Sequence, residues 1–302
     1  MTKVSIVIPN WNGVEKIKKN LPRVLEVAKQ NNINEVIVSD DASTDGSVEI
    51  IKQQFPEVIL LTSDKTKNLG FASNVNKGVG VAEGEIIFLL NSDAVPDINF
   101  LTSAFRHFDD PKVFSVGCNA GGYWATAKFE NGFFWTGQGS PEQGDINKPH
   151  QTLWASGGSG FFRKSIWDEL GGLDTLFDPF YHEDTDLGYR ATKRGYINIW
   201  EPDSKVDHYQ EKGVIEINFS KQEVAKTAQR NQLILTWKNI TSARLLSDHK
   251  KALLKMVVTH PKYGLTFLAA IKYLPEILTK RRIEQKAAKL TDEEVFSIFA
   301  GS

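Results

Sequence analysis

The sequence predicts an α/β fold: a mostly parallel sheet flanked by helices, with a helical extension at the C-terminus. Three observations predict it. Short β-branched runs alternate with helical patterns through the first hundred residues. Those runs are apolar throughout rather than at every second position, as in strands covered on both faces. After residue 219 the pattern is helical and basic to nearly the end.

The elements follow in order. "VSIVI" (4–8) reads as a strand. Ile17, Leu21, Val24, Leu25 and Ala28 then recur at helical spacing, with Pro22 starting that helix late or kinking it. "EVIVS" (35–39) is the second strand, and "STDGSVEIIKQQF" a helix bearing Val48, Ile51 and Phe55. Ser43 or Thr44 is placed to cap it. "EVILL" (57–61) is a third strand, "FASNVNKGVGVA" a helix and "EIIFLL" (85–90) a fourth strand. Residues 117–140 hold six glycines and six aromatics and read as loops or short hairpins. Residues 153–190 combine a glycine-rich loop, a helix ending at Gly171-Gly172 and a helix starting near Glu183.

Composition bounds the class. The chain has 302 residues, 41% of them hydrophobic, enough for a sizeable core. Cys118 is its one cysteine, which excludes an internal disulfide and a cysteine metal cluster and suits a reducing cytoplasm. No secretory signal is legible, and no run approaches the ~20 apolar residues of a membrane span. Residues 219–302 carry 15 Lys+Arg against 7 Asp+Glu, +8, whereas residues 1–218 carry 21 against 30, −9. A basic tail on an acidic body suits an anionic partner, or is a set of solvated helices.

In parallel sheets, ligands bind beyond the carboxyl ends of the strands. Three strands end there on polar residues: Pro9-Asn10-Trp11-Asn12, Asp40-Asp41 and Asn91-Ser92-Asp93. Asp40 or Asp41 could accept hydrogen bonds from a nucleobase or ribose, or serve the turn. Gly70 permits close backbone approach, and Asn74 and Asn76 are either exposed or in contact with a ligand. Asp93 could hold Mg²⁺ or Mn²⁺, or close an Asx-turn. Glu183, Asp184 and Asp186 suit a first helical turn, yet the preceding "DPFY" suggests a pocket wall where clustered carboxylates supply a general base. His208 gains meaning as a metal ligand if Asp93 lies close to it. Gly78, Gly80 and Gly84 mimic a dinucleotide signature but precede a strand, the wrong place for phosphate.

The ordered set "VSIVIPNWNG", "VSDDASTDGS", "NLGFASNVNKG", "LLNSDA", "SGGSGFFRKSIWDELGGLD", "HEDTDLGYR" and "DHY", across residues 3 to 209, resembles inverting glycosyltransferases of family 2, with the GT-A fold. Its flavour is that of the bacterial rhamnosyltransferase-like group that builds surface polysaccharides. The resemblance implies an enzyme moving a hexosyl or deoxyhexosyl unit from a UDP- or dTDP-linked donor to a glycan or lipid-linked acceptor. It assigns Pro9, Asn12, Asp40, Asp41, Gly70, Asn74, Ser92 and Asp93 to the donor nucleotide. Asp93 and His208 fall to Mg²⁺ or Mn²⁺, and Asp184 or Glu183 to the catalytic base. Asn91 stands where the family's metal motif starts with a carboxylate. Asp186 supports the helix or touches acceptor, and Trp124, Trp135 and Trp154 could stack on sugars or belong to the core.

The implied division is a nucleotide-sugar half (1–100), an acceptor half (101–218) and a basic helical extension (219–302). The extension would rest on an anionic membrane surface or form a homodimer, giving a cytoplasmic or peripheral protein with no nucleic-acid partner. The rival is a non-catalytic nucleotide- or carbohydrate-binding relative. A nucleotidyltransferase is disfavoured because "PNWNGVEK" is no triphosphate loop.

Overall fold

A computed structural model describes residues 2–33, 35–63, 66–208 and 213–299. The four early apolar runs become β1 (Val4–Asn10), β2 (Glu35–Asp40), β3 (Ile59–Leu61) and β4 (Ile86–Leu90). They pair in parallel in the order β3-β2-β1-β4, with Asn10 registered against Asp40. Between them run α1 (Val14–Gln30), α2 (Ser47–Gln54) and α3 (Phe71–Val81).

Alternation explains why these strands are apolar throughout. Ile6, Ile8, Val36, Val38, Phe88 and Leu90 pack with Ile17, Leu21, Val24 and Ala28 of α1. Their neighbours Val7, Ile37, Ile87 and Leu89 share the opposite core with Ala72, Val75 and Val79 of α3. Successive side chains point to opposite faces, so a doubly covered strand is apolar at most positions, and the buried Ser5 of β1 is hydrogen-bonded to Glu35. Gly78 serves that packing: a Cβ there would lie 2.5 Å from Val7 Cγ1.

The chain continues through β5 (Ala94–Pro96), α4 (Phe100–Phe105), β6 (Val113–Asn119) and a separate hairpin, β7 (Ala125–Glu130) with β8 (Phe133–Gln138). After β9 (His150–Gln151) come β10 (Ser159–Arg163), α5 (Lys164–Leu170), α6 (Glu183–Lys193) and β11 (Ile197–His208). The sheet extends as β4-β10-β6-β11-β5, with β9 also on β11. It is mixed: β6 and β11 are parallel, but β10 opposes both its neighbours. The extension is α7 (Val214–Asn218), α8 (Lys221–Asn239), α9 (Ala243–Thr259), α10 (Tyr263–Ile271), α11 (Leu274–Ala287) and α12 (Asp292–Phe299). Its apolar core, with Leu233, Ile234 and Phe296, includes Phe134 of the hairpin.

Several local expectations are corrected. Helix α1 runs from Val14 through Pro22, because Pro22 and Lys18, whose carbonyl loses its partner, are both exposed to water. Neither Ser43 nor Thr44 caps α2. Asp45 Oδ1 accepts from Ser47 N at 3.0 Å, while its Oδ2 accepts from Val14 N at 2.8 Å, so one carboxylate serves two helix starts. The third strand begins at Ile59.

Part of the extension's positive charge is spent internally. Asp186 of α6 is fully buried and accepts from Arg190 Nε at 2.8 Å, Lys238 Nζ at 2.7 Å and Asn239 Nδ2 at 2.7 Å. Lys238 also meets Asp174 at 2.6 Å, and Arg194 meets Glu284 at 2.7 Å. Lys193 pairs with Asp292. Among the described residues, no helix is long and apolar enough to cross a membrane.

Removing one member of a buried charge network strands the others. Asp186→Ala is expected to cost about 3–5 kcal/mol, read by urea denaturation. A loss under about 1 kcal/mol, the range of exposed pairs, would show that water screens the cluster.

Candidate active site

Parallel pairing brings the carboxyl ends of β1, β2 and β4 to one rim. A cleft of about 410 Å³ opens there. Its floor includes Pro9, Asn10, Asp41, Gly70, Asn74, Asn91, Ser92 and Asp93, and its far wall Gly157, Gly158, Glu183, Asp184 and His208. Of the residues predicted for the site, all but Asn12 and Asp40 line it. Those two lie just behind. Asp40 Oδ2 accepts from Asn10 Nδ2 at 2.8 Å and its Oδ1 from Ser43 N at 2.9 Å, and Asn12 Oδ1 accepts from Thr44 N at 2.8 Å.

Asp41 shapes the floor. Its Oδ2 accepts from Leu69 N at 2.8 Å and Gly70 N at 3.0 Å. Burial nevertheless raises its pKa, those two donors only opposing the shift. Gly70 adopts φ +116°, and a Cβ there would fall 2.3 Å from Asp178 Oδ1. That carboxylate accepts from Ala72 N at 2.9 Å and Ser73 Oγ at 2.6 Å. Asp178 thus caps α3 from a distant segment, and glycine is what fits beneath it. Asn74 is buried and Asn76 half-buried, and backbone and side-chain groups engage both. Asn74 Nδ2 donates to Ser39 O at 2.8 Å and its Oδ1 accepts from Ser39 Oγ at 2.7 Å. Asn76 exchanges hydrogen bonds with the backbone of Leu173.

Strand β11 returns antiparallel to β5 with His208 opposite Ala94. His208 Nε2 therefore lies 3.4 Å from Asp93 Oδ1, the proximity that the sequence left open. Asp93 Oδ2 holds Lys16 Nζ at 2.9 Å, whereas its buried Oδ1 accepts no hydrogen bond among the described residues. Tyr209 of the "DHY" motif lies outside the described residues.

Helix α6 begins at the far wall. Tyr181 and His182 precede it in the left-handed region, at φ +73° and +75°, a conformation costly for non-glycine residues. The turn is held from α8: Asn231 Nδ2 lies 2.7, 2.9 and 2.9 Å from the carbonyl oxygens of Phe177, Phe180 and Tyr181. Burial depresses the His182 imidazole to about 4, so it is neutral at physiological pH. Glu183 and Asp184 follow. Burial, and then the charge of Asp184, raise Glu183 well above the usual carboxylate range. Burial also pushes Asp184 up to about 6, against the N–H groups of Thr185 and Gly157 that favour its anion. Their helical neighbour Asp186 is turned into the buried network with Arg190, Lys238 and Asn239.

Glu183 Oε2 accepts no hydrogen bond among the described residues, and neither does Asn10 Oδ1. With Asp93 Oδ1, three buried acceptor oxygens thus belong to residues of one cleft. Such groups call for donors or a cation. Asp93 and His208 are residue types that a divalent ion takes as ligands, and among the described residues no third His, Cys, Asp or Glu joins them.

Sugar stacking does not fall to the expected tryptophans. Trp124 is fully buried, stacked on His150 with ring centroids 3.7 Å apart. Trp135 is exposed on the hairpin and Trp154 packs against the helical core. The rings that line the cleft are Trp11, Phe71, Phe180, Tyr181 and Phe219. "DPFY" does supply the expected wall. Trp11 and Phe71 sit inside sequence motifs and Asp178 opens "DPFY", whereas Phe219, Lys16 and Asn231 carry no local signal.

The sequence model described as glycosyl transferase family 2 matches residues 5–171. An N-acetylglucosaminyl-diphospho-decaprenol L-rhamnosyltransferase of Mycobacterium tuberculosis is 24% identical over 212 residues, 58% of this chain and 66% of that one. The first curated relatives are matched over 39% to 66% of their own length. In structure, a mannosyltransferase of Pyrobaculum calidifontis in complex with GDP-Man and Mn²⁺ superposes with a TM-score of 0.56 at 19% identity, over 95% of this chain and 86% of that one. GalNAc-T7 with UDP, GalNAc and Mn²⁺ gives 0.64 at 15% identity, over 88% and 57%. These likenesses establish the fold, GT-A.

Glu183 links the site to stability. Ionised in the unfolded chain above its ordinary pKa near ~4.3, its carboxylate is disfavoured on folding by burial and by the charge of Asp184. Its raised pKa therefore costs stability above that value and costs nothing below it. Glu183→Gln is expected to raise Tm at about pH 7.5, with the gain vanishing toward about pH 4. A lower Tm at neutral pH would mean that the folded protein uses the charge.

Proposed function

Because the chain belongs to glycosyl transferase family 2, we propose that its rim cleft moves a sugar from a UDP- or dTDP-linked donor to a hydroxyl of a glycan or lipid-linked acceptor, with inversion. The observation that carries this reading is three buried acceptor oxygens on residues of one cleft, none with a hydrogen bond among the described residues. Residues 1–100 form the donor half, 101–218 the acceptor half and 219–302 the supporting extension.

Donor recognition falls to Pro9, Asp41, Gly70, Asn74 and Ser92, with Asn12 and Asp40 shaping the loop behind them. Asp93 and His208 would hold Mg²⁺ or Mn²⁺. A bound divalent ion would offset charge on the departing diphosphate. Lys16, now paired with Asp93, adds a positive charge at the same point.

Asp184 is the base. With a pKa of about 6 it is ionised at neutral pH, yet still basic enough to take a proton from an acceptor hydroxyl. Glu183 stands beside it, its anion disfavoured by burial and by the charge of Asp184. Attack on the anomeric carbon from the face opposite the diphosphate inverts its configuration in one displacement. No enzyme nucleophile is needed.

Two measurements test this. Calorimetric titration of UDP and dTDP with and without Mn²⁺ should show metal-dependent binding of one nucleotide, weakened at least about tenfold in Asp93→Ala. Binding of neither would favour a non-catalytic relative, for which Asn91 in the metal motif is the support. Once a donor is found, Asp184→Asn should lower kcat by about 10²–10⁴-fold with little change in donor Kd. Because the base acts deprotonated, the wild-type rate should rise with pH through about 6 and then level. A flat profile that survives Asp184→Asn would reassign the base.

A further inference from the structure

The extension divides into two parts by the fate of its charges. Lys238 of α8 and Lys280 of α11 are paired with Asp174. Beyond the first turns of α9, where Arg244 pairs with Glu293 and Asp248 stands exposed, the charges of α9 and α10 differ. From His249 to Pro275 the chain has Lys at five positions and no Asp or Glu. All five lysines are exposed, and none makes an ion pair among the described residues.

The same two helices carry the largest apolar exposure of the extension. Leu254 and Val258, one turn apart on α9, are 68% and 70% exposed. Leu265 and Leu268, one turn apart on α10, are 67% and 62% exposed. The opposite faces are buried through Leu253 on α9 and Ala270 on α10, so the outward residues are not displaced core. They flank the short connection between the helices, with Lys255 and Lys262 beside them. Apolar side chains that enter an acyl boundary, flanked by lysines that reach anionic headgroups, are the signature of interfacial binding.

We propose that the α9–α10 hairpin docks the protein onto an anionic lipid surface, inserting Leu254, Val258, Leu265 and Leu268 while its lysines contact the headgroups. Charge selects this occupant. A second copy would bring the same unpaired lysines to the interface, whereas an anionic bilayer neutralises them. Docking places the cleft one helix from the lipid. Helix α8 meets α10 through Phe267 on Trp237 and through Thr266 on Gln229, and its Asn231 holds the cleft turn at Phe180 and Tyr181.

Vesicle flotation of the full chain tests this, using phosphatidylcholine alone or with about a third phosphatidylglycerol. The protein should float with the anionic vesicles only, and less at about 0.5 M than at about 0.1 M salt. Two independent variant sets should each weaken flotation at least about tenfold: Lys251→Glu with Lys255→Glu and Lys262→Glu, and Leu254→Ser with Leu265→Ser and Leu268→Ser. Nucleotide titration of each variant confirms an intact cleft and reads the catalytic proposal separately. No flotation, or flotation that neither set reduces, overturns the inference. So does a dimer seen by light scattering that the leucine set abolishes, which would assign the face to a second copy.

Discussion

Everything at the rim hangs on the burial of Asp186. Isolated, that carboxylate would be prohibitive in the interior. Surrounded by Arg190, Lys238 and Asn239, it becomes the point where α6 is fastened to α8. Buried ion clusters add little net stability beyond what apolar packing gives, but they tolerate few alternative geometries. Here the geometry that matters is rotation of α6 about its axis. Fixing Asp186 inward turns Asp184, about 200° away around the helix at about 100° per residue, toward the cleft.

Three acids in a single turn thus acquire three characters from their surroundings alone. Asp186 is enclosed by cations and amides, Glu183 is buried with an oxygen that no neighbour serves, and Asp184 is buried but served by N–H groups. The division of labour is environmental, since side-chain chemistry barely distinguishes the three.

This separation also marks how far the sequence could be read. Strand ends were legible because the early apolar runs break off at Asp40-Asp41 and at Asn91-Ser92-Asp93, and those breaks announce an edge. Helix α6 and its acids were legible because its start follows glycine and proline punctuation. What escaped has its partner far along the chain. Asp178 caps α3 about a hundred positions before it, and Asn231 braces a turn some fifty positions earlier. Neither residue type is unusual where it stands, and only the folded chain gives it a task. Trp124 shows the converse: aromatic residues in a glycine-rich stretch suggest a sugar platform, but ring burial against His150 satisfies them first.

The clamp from α8 has a consequence for biosynthesis. The chain emerges from its N-terminus, and domains consolidate as they are made. The sheet strands β1 to β4 can pair with one another early, because their parallel partners lie within the first hundred residues and only the β10 edge of β4 waits. Helix α6 is made well before Lys238 and Asn231 exist. Until α8 appears, Asp186 and Asp174 lack their lysine, and the left-handed turn at Tyr181 and His182 lacks its brace. The cleft's far wall is therefore the last part of the catalytic face to settle, and a nascent or truncated chain holds a nearly finished sheet beside an unfinished site.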